Sequence, residues 1–400
     1  MTFELKRRLC AAALCLVMTC AVFAGCSKTD KETEEIKPAA FGTYGCELAR
    51  DLSHKYPGRK AYSAEEASAA EYIKAEFEKL GYSVDTQTFK GRGGNSQNLI
   101  VHIGGDGFTA VEEGTSIKTG DIRRRAVIGA HYDSFYSASE IPSDRSYDAI
   151  SDNASGIGCL LTVAKQIREY QDIGFDVDIV AFGASTDNYA GARAYFNSLS
   201  EEERAEIEVM FCIENIYAGD KVYANSGLNS LKLDQKYKMR RKLYQAYDVA
   251  YNDMLYSING FNLNYNESGI VADINGDGVE DVYREVSVNR SDYSVFDEHD
   301  IPVVFFDSGD YFFDSLDKMK QTKNLYLQEF GGIISDTYLD SSAVLDEYLV
   351  TDEKDPLEIR TNNIAYVILG TLEKGSDYGL TKAQYEEALQ KAKATVTPVA

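Results

Sequence analysis

Apolar residues recur along the chain at the spacing of amphipathic helices. Ala67, Ala70, Ile73, Phe77 and Leu80 lie three or four residues apart, and Gly81 follows them. This pattern predicts a helix over Ala64–Leu80 that ends at the glycine. The same spacing predicts further helices after Gly156, through Ala192 and Tyr195, and over Lys236–Tyr256, Thr361–Leu372 and Thr381–Ala394.

Short apolar runs separate these helices and predict strands. The runs are Ser83–Phe89, Asn98–Ile103, Ala126–Ala130, Val177–Phe182, Val209–Ile213 and Ile301–Phe306. Helices that alternate with buried strands favour an α/β fold, in which a mixed, mostly parallel sheet carries helices on both faces. Because the strands are spread over the whole chain, we expect a single domain over residues 41–400, with a helical insertion at about 231–290.

The composition is that of a globular protein with an acidic surface. Of its 400 residues, 44% are hydrophobic and 26% are charged, and the formal net charge is −23 at pH 7. This charge is typical of a soluble surface and repels phosphate backbones. Nucleic acid is therefore not an expected partner.

The amino terminus has the features of an export signal. The basic residues Lys6–Arg8 precede an apolar run over Leu9–Phe23, which is short for a membrane span. Two small residues then precede Cys26, a pattern that resembles the bacterial lipobox in which this cysteine is acylated. We expect a signal peptide over 1–25, a tether over 26–40, and a protein lipid-anchored in the bacterial cell envelope, outside the cytoplasmic membrane. An ordinary secretory signal with an incidental cysteine is the alternative.

Polar residues at the ends of predicted elements suggest a metal site. The candidates are His131, Asp133, Asp152, Glu214 and Asp336. The carboxyl ends of parallel strands meet at one edge of a sheet, so we expect these side chains to lie together. Imidazole and carboxylate donors suit zinc, and Asp133 is spaced to orient the ring of His131.

The wider pattern resembles the two-zinc aminopeptidases of metallopeptidase family M28. The resemblance rests on Ala130–Ser134 followed by Asp152–Gly156, and it runs from about Pro57 to about Leu372. It implies a zinc-exopeptidase fold and removal of amino-terminal residues by metal-activated water. It also implies that His131 binds the first zinc and that Asp152 bridges both metals. Glu214 stands where the family has an aspartate ligand.

The resemblance also implies substitutions at the centre. Where the family has its general base and then a glutamate ligand of the second zinc, this chain has Ser185 and Thr186. The final histidine ligand corresponds to Asp336. Since the loss of a general base typically costs roughly 10²–10⁴ in rate, we expect weak or lost hydrolysis. We also expect one usable zinc site and a poor second one.

Other residues of the chain could replace the missing general base or the missing ligand. Asp187 or Glu298 could supply a base, although Asp187 lies one residue late and a one-residue slip redirects a side chain. His299 could supply a ligand, although its position favours an exposed turn. Acyl transfer of the glutaminyl cyclase kind is disfavoured, because that branch of the family keeps the ligands that are Thr186 and Asp336 here.

A second motif predicts a calcium site. The run from Asp273 to Asp281 resembles a calcium loop in which the side chains of Asp273, Asn275, Asp277 and Asp281 and the carbonyl of Val279 surround one ion. Gly278 permits the tight turn that such a loop needs. An acidic, Asx-rich turn before a strand is the alternative.

Two functions fit these observations. The first is a cell-surface aminopeptidase that trims peptides, and the second is a non-catalytic protein that binds a peptide or a protein partner in the old cleft.

Overall fold

The computed structural model describes residues 37–116, 118–231, 236–273, 278–312 and 315–395. The predicted signal peptide, Cys26 and most of the predicted tether lie outside these residues. The compact unit begins at Pro38, which lies with Phe41 in a buried 3₁₀ turn. The last residues of the expected tether therefore belong to the domain. Among the helices of the described residues, none is both long enough and apolar enough to cross a bilayer.

The described residues contain a central sheet of eight strands and a separate two-stranded hairpin. The strands are β1 Asp85–Lys90, β2 Asn95–Ile103, β3 Arg125–His131, β4 Asp176–Phe182, β5 Ile207–Ile213, β6 Lys221–Asn225, β7 Leu263–Asn264, β8 Val271–Ala272, β9 Asp281–Val282 and β10 Val303–Gly309. The order in the sheet is β1-β2-β4-β3-β5-β10-β6-β7, while β8 pairs with β9. The four central strands run parallel, whereas β1, β2 and β6 pair antiparallel with their inner neighbours.

Helices cover this sheet, as the predicted α/β fold requires. They are α1 Tyr44–Lys55, α2 Ala64–Lys79, α3 Ser155–Gln166, α4 Ala190–Ser198, α5 Glu201–Glu206, α6 Lys236–Asn252, α7 Leu255–Asn259, α8 Tyr293–Asp297, α9 Ser342–Leu349, α10 Pro356–Asp377 and α11 Lys382–Thr395. Helix α3 packs against the central strands and against α1 and α10. Val127, Val180 and Met210 instead form a buried cluster with residues of α4 and α8.

The central strands are buried along almost their whole length because both faces are covered. Residues 126–131 of β3 and 177–182 of β4 are all buried. Such continuous runs are typical of parallel strands between helical layers. The predicted fold class is therefore confirmed.

Two element predictions need correction. The helix expected over Lys236–Tyr256 is interrupted, because Met254 adopts a left-handed conformation with φ 51° and separates α6 from α7. The placement of Asp152 and Asp336 at strand ends was also wrong. Asp152 lies in an irregular turn before α3, and Asp336 lies in a loop with φ 60°.

Candidate metal centre

Three predicted ligands meet in a buried cluster at the carboxyl end of the sheet. His131 is the last residue of β3, and Glu214 directly follows β5. The Nε2 atom of His131 lies 2.9 Å from Glu214 Oε1 and 3.2 Å from Asp152 Oδ1. One ligand atom from each residue lies within 4.8 Å of the other two. The group therefore has the composition and the spacing of a metal site.

The charges of this cluster are strongly coupled. Burial alone would lower the pKa of His131, but Glu214, Asp133 and Asp152 outweigh it, so the pKa lies well above its usual range. Burial raises the pKa of Glu214, although His131 partly opposes this effect. The carboxylates around the imidazole therefore favour a positive charge at this place in the cluster.

The loop that carries Asp152 is fixed by hydrogen bonds from several parts of the chain. Asp340 accepts hydrogen bonds from the backbone N–H groups of Ser151 at 2.8 Å and Asp152 at 3.0 Å. The side-chain amide of Asn153 donates to the carbonyl of Ile213 at 2.9 Å, which joins this loop to the end of β5. These contacts hold Asp152 beside Glu214.

A buried arginine joins the loop after β3 to the loop that carries Asp152. The guanidinium of Arg59 donates to the carbonyls of Tyr132 at 2.6 Å, Asp148 at 2.9 Å and Ala149 at 2.7 Å. Because a rigid guanidinium donates in several directions at once, it holds the two loops in one geometry.

The turn after β4 is attached to the centre through Asp133. One oxygen of its carboxylate accepts a hydrogen bond from Ser185 N at 2.8 Å. The other accepts from the N–H of Thr186 at 3.0 Å and from its hydroxyl at 2.7 Å. Nδ1 of His131 faces the same residue, 3.2 Å from the carbonyl of Asp133 and 3.4 Å from its carboxylate. Asp133 thus connects the ring of His131 with Ser185 and Thr186.

Asp336 faces the cluster but does not belong to the three-ligand group. Burial raises its pKa to about 7, and the charge of Asp152 adds to this effect. Its backbone carbonyl accepts a hydrogen bond from the Tyr136 hydroxyl at 3.3 Å, and the ring of Tyr136 stacks on Tyr338 at 4.8 Å. The stacked rings of Tyr136 and Tyr338 therefore lie next to Asp336.

The three candidate replacements, Asp187, Glu298 and His299, bind residues outside the ligand group. Asp187 accepts hydrogen bonds from the Tyr62 hydroxyl and from Arg92, and Glu298 forms an exposed ion pair with Arg193 at 3.1 Å. His299 is exposed, and its Nδ1 lies 2.8 Å from the carbonyl of Val295. The structure therefore brings none of these three side chains into the ligand group formed by the described residues.

Two neighbouring residues of the centre were not predicted as site residues. The hydroxyl of Ser291 donates to Glu214. Asp292 is fully buried near Ser185, and burial together with the charges of Glu214 and Asp133 raises its pKa to about 7. Neither oxygen of Asp292 has a well-formed hydrogen bond, although the Ser185 hydroxyl is close enough to lower this pKa. The burial of Ser291 and Asp292 next to Glu214 depends on the tertiary structure, and no local pattern in the sequence indicates it.

The donors present fit one metal ion. His131, Asp152 and Glu214 supply one nitrogen and two carboxylates, which is a common set for zinc. They do not fit a second ion equally well. Thr186 has no carboxylate, and its hydroxyl and N–H are both directed to Asp133.

The described residues of the predicted calcium motif lie in or next to the strands β8 and β9. Asn275 and Asp277 fall outside the described residues, whereas Asp273 and Gly278 lie between β8 and β9. The N–H of Gly278 donates to the Asp273 carboxylate at 3.0 Å, and Gly278 has φ 85°. Val279 is exposed, and Asp281 begins β9.

Comparison with known proteins relates the chain to metallopeptidases. The family model of peptidase family M28 matches residues 115–338. The alkaline phosphatase isozyme conversion protein of Escherichia coli K12 is 24% identical over 211 residues, which are 50% of this chain and 59% of that protein. The chain thus spans little more than half the length of this curated relative.

Solved structures share the fold at low sequence identity. A glutaminyl cyclase from an Acidobacteriales bacterium matches with a TM-score of 0.57 and 16% identity, over 88% of this chain and all of that one. A zinc aminopeptidase from Bacillus subtilis matches with a TM-score of 0.53 and 13% identity, over 83% and 94% of the two chains. LapB from Legionella pneumophila matches with a TM-score of 0.53 and 15% identity, over 87% of this chain and 74% of that one. At these identities the likeness shows the fold alone.

Proposed function

This chain belongs to peptidase family M28, and on that basis we propose that it recognises the amino-terminal end of peptides at a centre holding one zinc ion, with hydrolysis weak or lost. The observation that carries the proposal is the pairing of Asp133 with Ser185 and Thr186. At the positions that correspond to the base and to a second-metal ligand, the chain has two hydroxyl residues tied to a structural carboxylate.

The remaining residues have complementary roles in this proposal. His131, Asp152 and Glu214 would hold the ion, which supplies Lewis acidity toward a peptide carbonyl when bound. Asp133 keeps the His131 ring oriented, and Ser291 does the same for Glu214. Asp336, whose charge interacts with that of Asp152, would attract the positive α-amino group of a peptide.

Proton transfer is the weak step of this centre. A serine hydroxyl does not accept a proton near neutral pH without a base of its own, so Ser185 does not replace a glutamate. A rate roughly 10²–10⁴ below that of an intact centre follows from the loss of a general base.

A purely binding role is the second candidate function. It is favoured by Asp187, the carboxylate next to the turn, which is held by Tyr62 and Arg92. In this case the cleft retains its affinity for peptides or for a protein partner but does not cleave them.

Metal content and peptidase assays on the same preparation test the proposal. We expect about one zinc per chain by plasma mass spectrometry, loss of this zinc in His131→Ala, and retention in His299→Ala, which removes an exposed histidine outside the cluster. Aminoacyl p-nitroanilides should be cleaved slowly or not at all. Two tightly bound zinc ions with rapid turnover would refute the proposal, whereas peptide binding without turnover would favour the binding role.

We further propose that the protein is anchored in the bacterial envelope by acylation of Cys26 and that the hairpin loop binds calcium. Metabolic labelling with radioactive palmitate should mark the wild-type chain and spare Cys26→Ala. Calcium should raise the melting temperature of the wild-type protein, and Asp273→Asn should reduce this effect. Equal labelling of both chains, or a melting temperature that does not respond to calcium, would contradict the respective proposal.

A further inference from the structure

The insertion carries an open surface that the metal centre does not use. One cleft of about 760 Å³ lies along α6, α7 and β7. A second cleft of about 260 Å³ lies between β7 and Tyr311. Both are lined by Asn262, Leu263 and Tyr265, so the two clefts adjoin each other at the β7 edge of the sheet. The two clefts together are named the tyrosine trough below.

Exposed aromatic rings line the trough. Tyr251 is 83% exposed, Tyr256 70% and Phe312 70%, while Tyr265 packs at 5.7 Å from the ring of Tyr247. Single exposed rings are ordinary on a protein surface, but several around one concavity indicate a binding site. The face of an aromatic ring carries partial negative charge, so it attracts the slightly positive C–H groups of a ligand ring that lies flat against it.

Planar polar groups alternate with these rings. The amides of Asn252, Asn262 and Asn264 and the carboxylates of Asp248 and Glu267 line the trough. Asn264 is held in place because its amide donates to the carbonyl of Val222 at 3.0 Å, and Asn262 donates to Asn264 at 3.0 Å. An amide offers a donor beside an acceptor and a carboxylate offers two acceptors, which suits a ligand that carries neighbouring hydroxyl groups.

The charge and the backbone of the trough argue against other ligands. Lys221 partly offsets Asp248 and Glu267, so the trough lacks the strong charge that a polyelectrolyte would require. A peptide that adds to a sheet edge needs a longer strand than the two residues of β7. Leu263 and Met254 are the larger aliphatic side chains in its lining, which is few for an amphipathic helix.

We propose that the tyrosine trough binds a neutral saccharide chain, with sugar rings stacked on Tyr251, Tyr256 and Tyr265 and hydroxyl groups bonded to the neighbouring amides and carboxylates. The site shares no residue with the metal centre. Saccharide binding is therefore expected whether or not the protein hydrolyses peptides.

Titration calorimetry on the full chain tests this proposal. The probes are chitohexaose, cellohexaose and maltohexaose, with an uncharged glycine–serine hexapeptide for comparison. We expect at least one of the saccharides to bind. Tyr251→Ala and Tyr256→Ala should each weaken that binding about fivefold to tenfold, because each removes one stacking surface.

Two further variants separate stacking from general damage. Tyr256→Phe keeps the ring and should bind like the wild type, and so should Tyr378→Ala, which removes a 63% exposed tyrosine outside the trough. Binding that Tyr378→Ala weakens as much as Tyr256→Ala would overturn the proposal. A lack of measurable binding to all three saccharides, or tighter binding of the hexapeptide, would also overturn it.

Discussion

Asp133 accepts two hydrogen bonds from Thr186, one from its hydroxyl at 2.7 Å and one from its backbone N–H at 3.0 Å. Burial raises the pKa of Asp133, but the protonated His131 and the bonds from Thr186 outweigh it, so the pKa lies below its usual range. The same carboxylate therefore faces a ligand and braces the turn after β4. Thr186, which the sequence analysis matched to a ligand position of the family, thus binds the residue that orients His131.

Removing the Thr186 hydroxyl should weaken the centre without disrupting the fold. We expect Thr186→Val to lower the free energy of unfolding by about 1 kcal/mol through the loss of one partly buried hydrogen bond. Zinc affinity should fall about tenfold, because Asp133 orients the ring of His131. Thermal melts and zinc titration measure both effects. Thr186→Ser keeps the hydroxyl and is the control; equal losses in the two variants would show that the hydroxyl is not the cause.

Restoring the implied ligands should recover a second metal site. The triple variant Ser185→Glu, Thr186→Glu, Asp336→His places two new carboxylates in the turn that is bonded to Asp133. We therefore expect it to be less stable than the wild type without metal and to be stabilised more by zinc. It should bind about two zinc ions per chain and gain peptidase activity.

The neutral variant Ser185→Gln, Thr186→Gln, Asp336→Asn is the matched control and should gain neither metal nor activity. Mass spectrometry of bound metal and hydrolysis of aminoacyl p-nitroanilides are the measurements. If the charged triple variant gained nothing over this control, the assignment of Ser185, Thr186 and Asp336 to family positions would be wrong.

Asp340 should control zinc affinity without touching the ion. Its carboxylate accepts the backbone N–H groups of Ser151 and Asp152, and an amide at this place would direct a donor toward one of them. We expect Asp340→Asn to lower zinc affinity about tenfold to a hundredfold, as measured by competition with a chelator dye. Asp148→Asn is the control, because Asp148 binds Ser342 instead. Equal affinity losses in both variants would point to general destabilisation.

The metal-free protein should lose stability as the pH rises. Burial raises the pKa of Asp307 from 3.8 to about 7, although the Tyr311 hydroxyl and Asn289 donate to its carboxylate. Since the folded pKa lies above the unfolded one, the contribution to stability is fully present below pH 3.8 and is lost as the pH rises through about 7. The pKa of Asp292 is also raised from 3.8 to about 7, so its contribution to stability is lost over the same pH range.

Thermal melts between about pH 5 and 8 measure this slope. Asp307→Asn should flatten it, since a change of one pKa unit corresponds to about 1.4 kcal/mol. Asp51→Asn removes an exposed partner of Lys55 and should leave the slope unchanged. A slope that Asp307→Asn does not alter would show that Asp307 titrates alike in the folded and unfolded chains.

The fold class and the meeting of His131 with Glu214 could be predicted because they depend on local patterns. A run such as residues 126–130 is apolar throughout only where both faces of a strand are covered, and His131 follows it directly. The predicted strands therefore overlap those of the structure. The long helix over Lys236–Tyr256 was predicted too far, since nothing in its periodicity marks the left-handed turn at Met254.

The sequence by itself determined the alternation of strands and helices, the family, and the residue types at the centre. Only the tertiary structure decided that Thr186 is directed to Asp133, that Asp187 is held by Tyr62 and Arg92, and that Asp292 is buried. The physical reason is that these contacts join residues far apart along the chain. Thr186 lies 53 residues from Asp133, and Asp187 lies 125 residues from Tyr62. Periodicity reports which face of an element is buried, but not which distant side chain lies against it.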